Sequence, residues 1–139
     1  MRILGIDYGD ARTGIALTDA LNITAQGLET IHNDGSDKVI LRRLDEILEQ
    51  YDIDTIVIGK PINMNGTSSE RTEKTEKFIH KLKCKYNKLK IETVDERLTT
   101  VAAHKTMNFL DINKNKKKNI VDTISAVYIL ETYLNKIKN

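Results

Sequence analysis

Three acidic residues, Asp7, Glu96 and Asp122, are the groups on which chemistry can be built in this sequence. Asp7 ends the run Ile3-Leu4-Gly5-Ile6, which has no polar interruption and reads as a strand buried on both faces. A carboxylate at the end of such a strand faces a desolvation cost unless something compensates it. A metal ion, a lysine or arginine, or backbone donors of the glycine turn that follows would each do so. Functional groups of an α/β sheet collect beyond the carboxyl ends of its parallel strands. That rule sets Asp7, Gly59-Lys60-Pro61 and Asp95-Glu96 along one rim, and Asp122 joins them if the last helix packs with its N-terminal end nearby. The three acids would then be hard oxygen ligands suited to magnesium or manganese. Two such ions, roughly 3.5–4 Å apart, activate water and stabilise the leaving oxygen in phosphodiester hydrolysis. Crowded carboxylates without a cation would repel one another. Each acid also has a plain role: Asp7 capping a turn, Asp122 complementing a helix dipole, Asp95 or Glu96 pairing with Arg97. Only their shared location favours the joint reading.

The elements that must position these groups follow from the pattern. After the first strand, Gly9 and Gly14 bracket a short polar turn, and Ile15, Ala16 and Leu17 begin the return strand. Residues 22–31 supply a third strand. Asn33-Asp34-Gly35 signals a turn, and Ser36 or Asp37 caps a helix to about residue 51, with Ile40, Leu44, Ile47, Leu48 and Tyr51 at helical spacing. Residues 55–59 form a β-branched run fit for a buried parallel strand. A second helix begins near Ser69 and turns Phe78, Ile79, Leu82 and Tyr86 inward. Residues 91–94 are a fifth strand, and Thr99 or Thr100 caps a third helix carrying Val101, Ala102, Lys105 and Phe109. A lysine-rich loop, 113–119, precedes a last helix over about 119–137 with Asp122 in its first turn. Three strands in succession, then alternating helices and strands, predict an α/β fold with a mixed sheet covered by helices and right-handed crossovers.

With 139 residues, 40% hydrophobic and 30% charged, the chain is expected to form one globular domain over residues 1–139. No stretch approaches the roughly 20 apolar residues of a membrane span, and the N-terminus runs straight into the first strand without a signal peptide. A cytoplasmic protein is the expectation. Cys84 is the only cysteine, so an internal disulfide and a cysteine-based zinc site are excluded. His32, His80 and His104 lack ligand spacing. The formal charge of +2 is too small to announce a nucleic-acid binder. Its distribution is more telling. The lysines of residues 81–90 read as a solvated helix face, whereas Lys114, Lys116, Lys117 and Lys118, just ahead of Asp122, suit phosphate contact.

GIDYG with the following RTGIALTD, IVIGKPINMNGT, VDERLTT and VDTISAVYILETYL together resemble the YqgF (RuvX-like) family, in the family's order and across nearly the whole chain. The resemblance implies a ribonuclease H-like fold, a five-stranded mixed sheet whose first three strands are antiparallel, flanked by helices. It implies a nuclease similar to Holliday-junction resolvases that processes the 5′ end of precursor 16S ribosomal RNA. Asp7, Glu96 and Asp122 would be its catalytic acids and would hold one or two Mg²⁺ or Mn²⁺ ions. Arg12, Lys60, Arg97 and Lys116, Lys117 and Lys118 would contact nucleic acid. The chain departs from the family pattern at four places. The turn after the first strand reads Asp10-Ala11-Arg12, one basic group short. Lys60 stands between Gly59 and Pro61, where the family is usually apolar. The basic segment before the last helix uses lysine and asparagine in place of arginine, which keeps charge but loses the bidentate phosphate fork. Asp122 has no second acid one turn on, since Ser125 and Ala126 follow.

The expected activity is metal-dependent hydrolysis of phosphodiester bonds in structured precursor rRNA, with a branched DNA junction as the second substrate. Cutting a junction calls for a symmetric homodimer presenting two active sites, whereas a processing nuclease works as a monomer. With two Phe and five Tyr there is no aromatic platform to separate the two substrates. Two other classes compete. Asp-x-Gly after a first strand also resembles the phosphate loop of actin-like ATPases and sugar kinases, but those need two such domains. A non-catalytic RNA-binding assembly factor would keep the fold and the acids without turnover.

Overall fold

In the computed structural model, residues 1–61, 70–95 and 114–138 are described, the side chains of the last helix from 122 to 137. Chain order is β1 (Arg2–Asp7), β2 (Arg12–Thr18), β3 (Ala25–His32), α1 (Asp37–Gln50), β4 (Ile53–Lys60), α2 (Glu70–Lys85), β5 (Lys90–Asp95) and α3 (Lys114–Lys138). The five strands form one sheet in the order β3-β2-β1-β4-β5. β1 pairs antiparallel with β2, and β2 with β3; β1 pairs parallel with β4, and β4 with β5. This is the mixed sheet expected, with its first three strands antiparallel. Because β1, β4 and β5 run the same way, Asp7, Lys60 and Asp95 end at one rim.

Alternation along the strands divides the core in two. Leu4, Ile6, Ile15, Ile56 and Ile58 face α1 and α2, meeting Ile40, Leu44 and Ile47 of the first helix and Phe78, Ile79 and Leu82 of the second. Ile3, Ala16, Val57 and Val94 face α3, against Ala126, Ile129, Leu130, Tyr133 and Leu134. Asp7 continues the Ile3–Gly5 parity, so it belongs to the α3 side. Lys60 continues the Ile56–Ile58 parity and belongs to the α2 side.

The α3 helix can lie directly on the sheet because small residues floor its seat. A side-chain carbon at Gly14 would collide with the backbone carbonyl of Asp122, and one at Gly5 would press on Leu130 and the carbonyl of Ala126. On the opposite face, α1 is tied to edge strand β3 by Arg43, whose guanidinium forks across Glu29 at 2.7 and 2.8 Å. Lys81 and Lys85 of α2 bridge to Asp37 and Asp45 of α1, both at 2.8 Å. These two lysines of the 81–90 cluster are thus used between helices while remaining solvated.

Several expected boundaries shift. The third strand lies over Ala25–His32 rather than 22–31, because Asp19 accepts the Ile23 amide at 2.7 Å and closes a turn there. Tyr86 falls just past the end of α2, where its hydroxyl donates to Asp45. The lysine-rich segment is a correction: residues 114–119 are helical and not a loop, so Asp122 stands in the third turn of α3 rather than the first. Lysine is a good helix former, and the helix extends beyond the reach of its apolar stripe. The helix expected near Thr99 or Thr100 lies outside the described residues. Among those residues, no helix is long and apolar enough to cross a membrane.

Gly14→Ala tests the seat of α3. Relieving the collision requires the helix to lift from β2, so the variant is expected to lose at least about 2 kcal/mol, toward the upper end of overpacking costs, in urea unfolding. An unchanged midpoint would mean that α3 does not rest on this strand.

Candidate active site

At the rim, the loop joining β1 to β2, the third turn of α3 and the first turns of α2 enclose a cleft of about 210 Å³. Asp7, Asp10, Arg12, Arg71, Lys74 and Asp122 contribute its charged lining. Asp7 is placed by the buried strand beneath it, and its Oδ1 is shielded from solvent. Asp122 is placed by the contact of α3 with Gly14, the residue paired with Asp7 across β1 and β2. Two acids far apart in sequence therefore line one cleft, one from the sheet and one from the helix above it.

Arg12 lines the same cleft and pairs with the second of them. Its Nε donates to Asp122 Oδ2 at 2.7 Å, with the arginine side chain 33% exposed and the aspartate 15%. A carboxylate this sheltered needs a compensating charge, and the guanidinium supplies it. Tyr8, also lining the cleft, is not a candidate acid or base. Its ring stacks on Phe78 at 4.5 Å and its hydroxyl donates to Asp37 at 2.7 Å. Burial, and then the hydrogen bond to the Asp37 carboxylate, push that hydroxyl well above its ordinary range.

The loop carrying Arg12 is held from behind by Asn33, a buried residue at the end of β3. Asn33 Nδ2 donates to the carbonyls of Gly9 and Asp10 at 3.1 and 2.9 Å, and its Oδ1 accepts from the Thr13 hydroxyl at 3.1 Å. The Asn33 and Asp34 amides both donate to the Ala11 carbonyl, and that of Gly35 to the carbonyl of Asp10. Asp34 and Gly35 take positive φ, 46° and 82°, which lets the turn wrap the loop this closely. The turn signal was readable in sequence; its grip on residues 9–11 was not.

Of the residues singled out from sequence, the structure brings Asp7, Arg12 and Asp122 together. Lys60 is not among the residues lining the cleft: it lies on the α2 side of the sheet and pairs with Glu76 at 3.2 Å. Glu96 and Arg97, which follow the end of β5, lie outside the described residues, as do the side chains of Lys116, Lys117 and Lys118. Among the described residues no three histidine, cysteine, aspartate or glutamate side chains converge as a metal site. Asp7 and Asp122 nonetheless fit part of a donor set for a hard cation, being anionic oxygens at a sheltered point. Sequence reading missed Arg71 and Lys74. Their place in the first turns of the helix after β4, beyond a strand's carboxyl end, was the available signal.

Residues 1–136 match the sequence model of the RuvX family, described as Holliday junction resolvase. A protein of Ruminiclostridium cellulolyticum named "Putative pre-16S rRNA nuclease" is 56% identical over 137 residues, covering 99% of this chain and 96% of the relative. One of the same name from Acetivibrio thermocellus is 51% identical over 134 residues, covering 96% and 95%. Among solved structures, T. thermophilus RuvC in complex with a Holliday junction substrate superposes with a TM-score of 0.59 at 12% identity, over 99% of this chain and 96% of that one. The fowlpox virus Holliday junction resolvase gives 0.60 at 16% identity, over 99% of each. These likenesses, with the strand order described above, show a ribonuclease H-like fold.

Asn33→Ala would strip partners from two loop carbonyls and the Thr13 hydroxyl. The expected outcome is a loss of about 1–3 kcal/mol in unfolding free energy, with faster hydrogen exchange at the amides of residues 33–35. Unchanged stability and exchange would show that the loop is held by other contacts.

Proposed function

We propose, on the premise that this chain belongs to the RuvX family, that it is a metal-dependent nuclease that hydrolyses phosphodiester bonds at the 5′ end of precursor 16S ribosomal RNA, in the cytoplasm. The observation that carries the proposal is the meeting of Asp7 and Asp122 in one cleft beside Arg12. Mg²⁺ or Mn²⁺ held by these two acids, as one ion or two, would supply activation of the attacking water and stabilisation of the leaving oxygen. Asp7 and Asp122 are the holding residues, and Glu96 is the third donor in this reading. Substrate phosphate oxygens would complete the donor set that these acids leave open.

Arg12 has two tasks. Without a cation it neutralises Asp122; with substrate present it is near enough to turn its guanidinium to a phosphate oxygen, for which its planar fork is suited. Asn33 keeps the loop in place for that exchange. Arg97 and Lys116 to Lys118 would extend the basic surface along the sugar–phosphate backbone. Such contacts position a strand without reading its sequence.

The name shared by the relatives from R. cellulolyticum and A. thermocellus supports precursor rRNA as the substrate. The description of the family supports a second reading, resolution of a four-way DNA junction. The two differ in assembly: one active site suffices for the RNA, while paired cuts in a junction need a two-fold dimer.

Wild type and Asp7→Asn are to be compared on a precursor rRNA fragment and a synthetic four-way junction, with Mn²⁺, Mg²⁺ or chelator. The wild type is expected to cleave the RNA only with metal. The variant should lose more than the roughly 10–100-fold that follows removal of a group merely supporting a metal ligand, at equal or higher thermal stability. Preference for the junction, by a dimer, would favour the second reading. Binding without cleavage would make this an assembly factor, and equal cleavage by both proteins would remove Asp7 from the reaction.

A further inference from the structure

The cleft has a wall that the acids and Arg12 leave unassigned. It is formed by Arg71 and Lys74, three residues apart and so on one face of α2. Phe78, one turn beyond Lys74, is fully buried and stacked on Tyr8. That contact fixes how α2 sits against the β1–β2 loop. Thr75, between the two cations and Phe78, is also buried and donates its hydroxyl to the Arg71 carbonyl at 2.9 Å. The pair is therefore carried on a helix anchored by its own core residues. It approaches from the face of the sheet opposite to α3 and Asp122.

Among the described residues, the ion pairs of Lys74 are long. Its Nζ lies 3.5 Å from Asp10 Oδ1 and 3.5 Å from Glu70 Oε1, and those acids are 67% and 84% exposed. Pairs of this kind contribute little in water, so a phosphate can replace them at small cost. Arg12, by contrast, is held at 2.7 Å by a sheltered carboxylate. The neighbouring acids, Asp10 first and Glu70 next, raise the Lys74 ammonium's pKa, so the group stays cationic throughout the neutral range.

We propose that Arg71 and Lys74 form a second phosphate subsite, which grips the phosphodiester next to the scissile one on the same single strand of RNA. The subsite rests on the nuclease reading and adds where the strand runs: from the Asp7–Asp122 point across the β1–β2 loop and over the start of α2. It is a backbone contact, indifferent to base sequence. Its loss should weaken substrate binding and leave the chemical step alone.

The test measures binding of a fluorescein-labelled single-stranded RNA to Arg71→Gln/Lys74→Gln across a range of salt, with Lys83→Gln as control. Lys83 is an exposed cation of the same helix that does not line the cleft. The double variant is expected to bind about tenfold more weakly and to lose roughly 0.7 per charge from the slope of log K against log salt. Lys74→Arg should keep the slope, and thermal melts should match the wild type. In cleavage assays, KM should rise with kcat within about twofold, as for loss of uniform binding. Affinity and slope equal to those of Lys83→Gln would overturn the subsite while leaving the nuclease reading intact. Loss of slope in a protein that never cleaves RNA would keep Arg71 and Lys74 as a backbone contact, but would overturn the nuclease reading and with it the placement beside a scissile bond. Failure of the wild type to bind RNA would overturn both.

Discussion

The contact of α3 with the sheet is the constraint on which the rest of this molecule depends. A helix normally keeps its axis well off a sheet because side chains stand between them. Here the strands offer Gly5, Gly14 and Ala16, and the helix answers with Ala126, so backbone meets backbone at Asp122. The consequence is chemical as much as structural. Lifting the helix by the thickness of a methyl group would carry Asp122 away from both Arg12 and Asp7. The Arg12–Asp122 pair then follows, since two carboxylates brought this close to a buried strand end need positive charge beside them.

The other face of the sheet secures the same rim by different means. Phe78 fills the core under Tyr8, the residue after Asp7, and α2 is thereby pinned to the start of the β1–β2 loop. Asn33 holds the middle of that loop from the end of β3. A loop that carries functional groups is ordinarily mobile; this one is bonded along its backbone from behind, leaving Arg12 and Asp10 to project forward. Acids supplied by β1 and α3 and cations supplied by α2 line the same cleft. Such a division suits a polyanion whose reacting phosphate needs one environment and whose neighbouring phosphate needs another.

Much of this was legible in the sequence because the fold uses ordinary patterns. Apolar runs ending in Asp7, Lys60 and Asp95 mark the three parallel strands, and Ile40, Leu44 and Ile47 mark α1. Period-two alternation also explains why Lys60 does not join Asp7: the two residues end neighbouring strands but face opposite sides of the sheet. The start of α3 was misplaced because its first two turns carry lysine and asparagine with little apolar periodicity, and polar helix looks like loop when judged by hydrophobic spacing alone. Asn33, Arg71 and Lys74 were missed for another reason. Each lies beside a loop distant in sequence, and although the helix start after β4 points to the rim, neither it nor the turn signal says which loop will be its neighbour.

Manganese bound to crystals of the protein and located by its anomalous scattering gives the most direct test of the shared acidic point. The predicted result is manganese between Asp7 and Asp122, with the Arg12 guanidinium moved off Asp122 Oδ2 from its 2.7 Å contact. Manganese held elsewhere, or a saturated crystal in which Arg12 still pairs with Asp122 and no ion touches Asp7, would contradict it.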